Sequence, residues 1–178
     1  MSRHGPPGRE TAAARSGERA TWYGYGRRAR VEKSGFGLFL HDVPRLFTEV
    51  SVLSLPVLFV VMGYPSSGWF DSKATALVAW TVAVVVSTLL RTGHVRPLAT
   101  PTRGWVSLSP WLLALRVPYF NGTFWLAIFG GLAVHAGVGG VVGPGPAIGA
   151  GLGWAAVVAG AGVLAFPRAA ETWLSVVR

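Results

Sequence analysis

From Leu46 onward the chain alternates long apolar runs with short polar breaks. Four runs stand out, at 46–64, 74–90, 120–139 and 147–166. At about 1.5 Å of rise per residue, each crosses or nearly crosses a hydrocarbon core of roughly 30 Å as a helix. The second, ATALVAWTVAVVVSTLL, is the shortest, and Asp71 to Lys73 and Arg91 extend it because their charged heads reach the interface. Its valine-rich centre reads as strand in water. A lone strand in lipid leaves its backbone groups unsatisfied, so a helix is predicted.

The breaks carry their own pattern. GFGLFLHDVPRLF, residues 35–47, mixes Phe and Leu with His41, Asp42 and Arg45, and is expected to lie on the bilayer before the chain turns inward at Pro44. Between the second and third runs, Ser109-Pro110 is a helix start, and Trp111, Leu112, Leu113 and Leu115 form an apolar face. Arg116 and Pro118 interrupt this stretch, so Pro110 to Val117 is predicted as a short interfacial helix, with a longer third helix or a re-entrant segment as the competing readings. VVGPGP leaves only a short turn between the last two runs. Proline ends helical pairing and glycine permits the reversal, so these two helices are expected to form a tight antiparallel hairpin.

Composition strengthens the membrane reading. Hydrophobic residues make up 51% of the 178, charged residues only 13%, and mean hydropathy is +0.46. The fold class expected is therefore an all-α integral membrane protein, a four-transmembrane-helix bundle over residues 35–178. Residues 1–34 are rich in Arg, Gly, Glu and Ser with little apolar periodicity, and are read as a disordered basic tail. No secretory signal is recognised there, since the first sustained apolar run begins only near Leu46 and no small-residue cleavage site follows it.

The net charge of +9 is unevenly placed: nine of sixteen Lys and Arg lie between Arg3 and Arg45. The tail, the segment 91–119 and the C-terminal end together hold fifteen of the sixteen, which by the positive-inside rule puts both termini on the cytoplasmic side of a cell membrane. Trp69, Trp105, Trp111 and Trp173 fall near the interfaces. Asn121-Gly122-Thr123 fits the N-glycosylation pattern but sits near the cytoplasmic side and is expected to be unmodified. Arginine outnumbers lysine fourteen to two, a bias that GC-rich codons produce, and a prokaryotic source is inferred by that association.

Small residues mark the packing. Ala127, Gly131, His135 and Gly139 recur at intervals of four in the third run. Gly149, Gly153 and Gly160 lie in the fourth, where twelve of twenty residues are Gly or Ala. In lipid, close backbone approach through small residues supplies the contact between helices. These positions are therefore assigned to packing, and Gly131→Leu and Gly153→Leu are each expected to destabilise the bundle.

Two ionisable groups inside the spans are candidate polar residues. His135 is expected to hydrogen-bond a neighbouring helix. Glu49 is expected to pair with Arg45, one turn earlier. Measured from the cytoplasmic ends, Glu49 is about 5 Å deep and His135 about 22 Å, so direct contact between them is not expected. Pro56 should kink the first helix, with Ser51 and Ser54 close enough to satisfy the freed groups.

Absent cysteine excludes a disulfide framework, a thiolate metal site, covalent c-type haem and a thiol nucleophile. Phosphate-binding loops, paired acids, His-rich metal spacing and Ser/His or Ser/Lys arrangements are not found, so no catalytic, cofactor-binding or metal-ligating residue is assigned. His41, Asp42 and His94 form only a loose interfacial set. The expected partners are the lipid bilayer, anionic headgroups attracted by the basic tail, and a second copy or another membrane protein. Nucleic acid is set aside because the tail also carries Glu10, Glu18 and Glu32 and adjoins a span. Three function classes remain, in order: an accessory or scaffolding subunit, a small oligomeric transporter or channel, and a membrane-embedded enzyme.

Overall fold

The computed structural model describes residues 35–65, 70–100, 105–106 and 110–177. Four helices account for most of them: α1 (Gly35–Gly63), α2 (Ser72–Thr92), α3 (Pro110–Val142) and α4 (Pro144–Val177). No strand occurs among the described residues. Each helix contains a stretch long and apolar enough to cross a membrane, namely Phe39–Gly63, Ser72–Thr92, Leu112–Val142 and Pro144–Val176. The tail 1–34, Trp69 and Ser109 lie outside the described residues, as does the side chain of Trp111.

Both segments expected at the interface are instead the opening turns of long helices. Residues 35–45 run into α1 through Pro44, and Pro110–Val117 runs into α3 through Pro118. A proline removes one rung of the helical ladder, and a helix inside a bundle tolerates that loss when neighbours supply other contacts. Arg116, which looked like an interruption, is fully buried and faces the other helices, so the charge that seemed to end the run is part of the interior.

The ends of α2 are set locally. Asp71 accepts hydrogen bonds from the Lys73 and Ala74 amides at 2.9 and 3.2 Å, satisfying two otherwise orphaned donors. At the other end Gly93 adopts φ 79°, a left-handed conformation that glycine enters without a Cβ clash. The α3 to α4 reversal is tighter than the sequence suggested: a single residue, Gly143 at φ 85°, separates the two helices.

Side-chain pairings give the helix directions. Asp42 meets Arg91 and Ser51 meets Trp80, so α1 and α2 run antiparallel. Glu49 meets Arg116 while Tyr64 meets Phe129, so α1 and α3 run parallel. Tyr119 meets Gly162 and Trp154 meets Leu126, making α3 and α4 an antiparallel hairpin, the most extensive contact of the four. The start of α1, the α2–α3 connection and the end of α4 consequently share one end of the bundle, here called the basic end. Phe70, His135 and Gly143 are at the other.

The core follows helical spacing. Leu46, Val50, Leu53, Val57 and Val61 line the inner face of α1; Ala76, Ala79, Ala83 and Leu90 line that of α2. On α4 the inward positions Ala147, Gly151, Ala155 and Ala159 recur every four residues and are all small, which brings α3 close. Large apolar side chains also cover the outside: Phe59 is 68% exposed, Val157 69% and Val141 84%. In water such a surface would be an aggregation hazard, whereas against hydrocarbon it is the expected solvent-facing side.

Candidate functional site

At the basic end α1 and α3 run side by side, which brings Glu49 against Arg116, sixty-seven residues away in sequence. Arg116 Nη1 donates to Glu49 Oε1, and the indole Nε1 of Trp105 donates to the same oxygen at 3.1 Å. Nη2 of Arg116 donates to the carbonyl of Val106 at 2.5 Å. The guanidinium lies 5.2 Å from the ring centre of Phe166 and 5.6 Å from that of Trp105, within cation–π range of both. Phe120 and Tyr119 complete the aromatic wall, each 5.3 Å from Phe166. The partner assigned to Glu49 from sequence was Arg45; the structure gives it Arg116. The signal was present, since an arginine within LLALRVPYF needs an acid, and Glu49 is the only acid in the four apolar runs. Trp105 was read from the sequence only as one of four interfacial tryptophans, with nothing to tie it to Glu49.

This centre is a latch. A carboxylate and a guanidinium taken out of water are costly unless each is paired and hydrogen-bonded. Here α1, α3, the connection at Trp105 and Val106, and Phe166 of α4 all meet on one cation. Arg116 Nε is left buried without a hydrogen-bond partner among the described residues.

Two further sets tie down the same end. Asp42 bonds Arg91 of α2 at 3.3 Å and lies 3.6 Å from His41. His94 Nδ1 is 2.7 Å from Thr92 Oγ1, so the loose set of His41, Asp42 and His94 is engaged with separate neighbours. Leu98 N–H donates to the Leu164 carbonyl at 2.9 Å, and Thr100 donates to Glu171, fastening the α2–α3 connection to α4.

Asn121 has a role that its glycosylation pattern concealed. Its Oδ1 accepts from the Val57 amide at 3.0 Å and its Nδ2 donates to the Leu53 carbonyl at 2.8 Å. Those two groups form the rung directly after the one removed by Pro56, so the amide is inserted into the α1 ladder where the proline loosens it. Nδ2 also donates to Val117, one turn back on α3, at 2.7 Å. The serines expected near this proline bond elsewhere: Ser54 donates to Val50 at 2.7 Å, and Ser51 accepts from Trp80.

The opposite end holds the small-residue contact. A Cβ on Gly131 would stand 2.8 Å from the Gly151 carbonyl oxygen, and one on Gly151 would stand 2.8 Å from that of Gly131. His135 packs its Cβ toward Gly151 and its ring 4.3 Å from that of Phe70, and its Nδ1 has no hydrogen-bond partner among the described residues. Gly139 faces Ala147, and Gly160 faces Val82 and Val86 of α2. Gly149 and Gly153 are elsewhere: both are exposed, and no atom comes within 4 Å of where a Cβ would be. The inward register of α4 is offset from them by two residues. Glu49 and His135 lie at opposite ends of the bundle and are not brought together.

Between α1 and α3, beside the latch, runs an open groove of about 480 Å³ lined by Arg45, Thr48, Glu49, Val52, Leu53 and Leu113. Among the described residues no three His, Cys, Asp or Glu are grouped to hold a metal ion.

The family model described as "Domain of unknown function (DUF8215)" matches residues 33–173. No curated protein and no solved structure matches the chain.

Proposed function

We propose, for a chain that belongs to the DUF8215 family, that it is a multi-pass accessory or scaffolding subunit of a cell membrane, acting through helix packing, with both termini on the cytoplasmic side. The observation that carries this reading is the Glu49/Arg116 latch. The one acid of the apolar runs, which a transporter would present to a water-filled path, is instead paired with Arg116 and Trp105, keeps only 8% of its side chain exposed at the groove wall, and fastens three helices and a connection together. The orientation is supported by the concentration of Lys and Arg at the end where α1 starts and α4 stops. Gly149 and Gly153, exposed one turn apart on α4, leave backbone that another helix could approach.

The test is to purify the full chain from its native membrane in mild detergent and weigh the intact complex. A stoichiometric protein partner that is lost on Gly153→Leu, with the melting temperature unchanged, is the expected result. A partner-free protein that conducts ions or protons in liposomes, and loses that flux on His135→Phe, would replace the accessory reading with transport. That second reading draws on one observation of its own, the buried His135 Nδ1 without a partner among the described residues.

A further inference from the structure

We propose that the groove between α1 and α3 holds one neutral lipid of the diacylglycerol kind, with a free hydroxyl and no charged headgroup. Its hydroxyl donates to Glu49 Oε2, and an acyl chain lies along Val52, Leu53 and Leu113. This goes beyond the accessory reading and stands independently of it.

The latch uses only one oxygen of the carboxylate. Arg116 Nη1 and Trp105 Nε1 both donate to Oε1, and no described residue donates to Oε2. The Glu49 side chain is 8% exposed, yet Oε2 is not fully enclosed. Because Glu49 lines the groove, the surface that this oxygen keeps opens there. A carboxylate oxygen accepts and never donates, so it selects a ligand that brings an O–H or N–H. Without such a donor in a hydrocarbon setting, the oxygen bears the desolvation cost of an unmade hydrogen bond.

The rest of the groove decides what accompanies that donor. Arg45 already has an interaction within the chain, and Thr48 donates to the Pro44 carbonyl at 2.9 Å. Val52 and Leu113 form exposed apolar walls over a floor of Leu53. Arg116 cancels the charge of Glu49, so neither a cationic nor an anionic headgroup meets a net counter-charge at this wall. Depth points the same way. Glu49 lies about 15 Å along α1 from Phe39, where the apolar segment opens, whereas the headgroup layer is only roughly 5–8 Å thick. A single hydroxyl reaches this depth without carrying a charge into hydrocarbon. The groove volume of about 480 Å³ is of the size of small-ligand cavities, with room for the hydroxyl end and part of one chain.

Native mass spectrometry of the full chain, titrated with dioleoylglycerol or with its methyl ether, tests the proposal, because the two probes differ only in the hydroxyl proton. The wild type is expected to retain the alcohol about tenfold more tightly, the factor equivalent to about 1.4 kcal/mol and close to the lower bound for a hydrogen bond to a charged group. Glu49→Gln should abolish that preference. Arg116 and Trp105 both donate, so the amide oxygen takes the place of Oε1 and its NH2 faces the groove, where the ether and hydroxyl oxygens are equal acceptors. Val52→Trp and Leu113→Trp, both at exposed positions, should fill the trough and lower retention of both probes. Equal retention of alcohol and ether by the wild type overturns the proposal, as does tighter retention of phosphatidylglycerol or phosphatidylcholine than of dioleoylglycerol. Tryptophan variants that convert a dimer to a monomer without changing lipid retention would assign the groove to a second copy instead. Should the variants fail to fold, the wild-type comparison of alcohol with ether decides alone.

Discussion

Replacing Glu49 and Arg116 by leucine, singly and together, tests whether the latch holds the bundle. In the single variant Arg116→Leu, the Glu49 carboxylate keeps only the Trp105 N–H, and the Val106 carbonyl loses its charged donor. In Glu49→Leu a guanidinium with no exposed surface is left without its counter-ion. Breaking a buried pair from one side costs about 3–5 kcal/mol, because an uncompensated charge remains. The double variant removes both charges. What it leaves is the Trp105 N–H and the Val106 carbonyl, two neutral groups at about 1–3 kcal/mol each, offset by the apolar burial of two leucines at ~25 cal/mol per Å². The double variant should therefore be no less stable than either single one, giving a coupling energy of about 3 kcal/mol or more where independent sites would add. Unfolding of the four proteins in mixed micelles, followed by circular dichroism against increasing sodium dodecyl sulfate, reads these differences directly. Additive losses in the double variant would show that Glu49 and Arg116 act separately, and the latch would have to be abandoned.

Three further outcomes follow from the geometry. Gly151→Ala should destabilise by about 1–3 kcal/mol, since its Cβ would meet the Gly131 carbonyl oxygen at 2.8 Å, while Gly153→Ala should be neutral or stabilising by up to about 1 kcal/mol from helix propensity. Equal melting temperatures for these two variants would contradict the inward register of α4. Asn121→Leu should cost about 1–3 kcal/mol, and less in a Pro56→Ala background, where the α1 ladder can close its own rung; identical losses in both backgrounds, measured by the same unfolding titration, would refute the insertion at Leu53 and Val57. A reporter fused after residue 100 should share the cytoplasmic side with reporters at both termini, and an opposite signal from it alone would break the helix order described above.

How far the sequence could be read depended on contrast. The number of long apolar helices was legible because charge and apolar run length differ sharply between Lys73, Arg91 and the stretches beside them. The third run could also be phased: Ala127, Gly131 and Gly139 stand among large neighbours such as Leu126, Phe129 and Leu132. The fourth could not. With Gly or Ala at twelve of twenty positions, several faces look equally small, so Gly149 and Gly153 were indistinguishable from Ala147 and Gly151 without knowing what lay opposite. The site was lost for a different reason. Periodicity reports neighbours three or four residues away, and Arg45 was the only candidate within that reach of Glu49. Arg116, Trp105 and Asn121 act across more than fifty residues, and only the parallel placement of α1 and α3 brings them to their partners. The same one-dimensional view treated Arg116 and Pro118 as the end of a helix, when burial of the first and the tolerance of a bundle for the second allow the helix to continue.

The one-residue reversal at Gly143 bears on the order of assembly. Loop-closure entropy grows with the length of chain between contacts, and here the contacts nearest the turn, such as Gly139 to Ala147, close a loop of a few residues. The α3–α4 hairpin is thus the part of lowest contact order, and it zips from Gly143 outward toward Tyr119 and Gly162. The Glu49/Arg116 latch spans a far longer loop and is rewarded only once that hairpin stands. Folding should run from the end without the latch to the end with it, so that Arg116 is buried last.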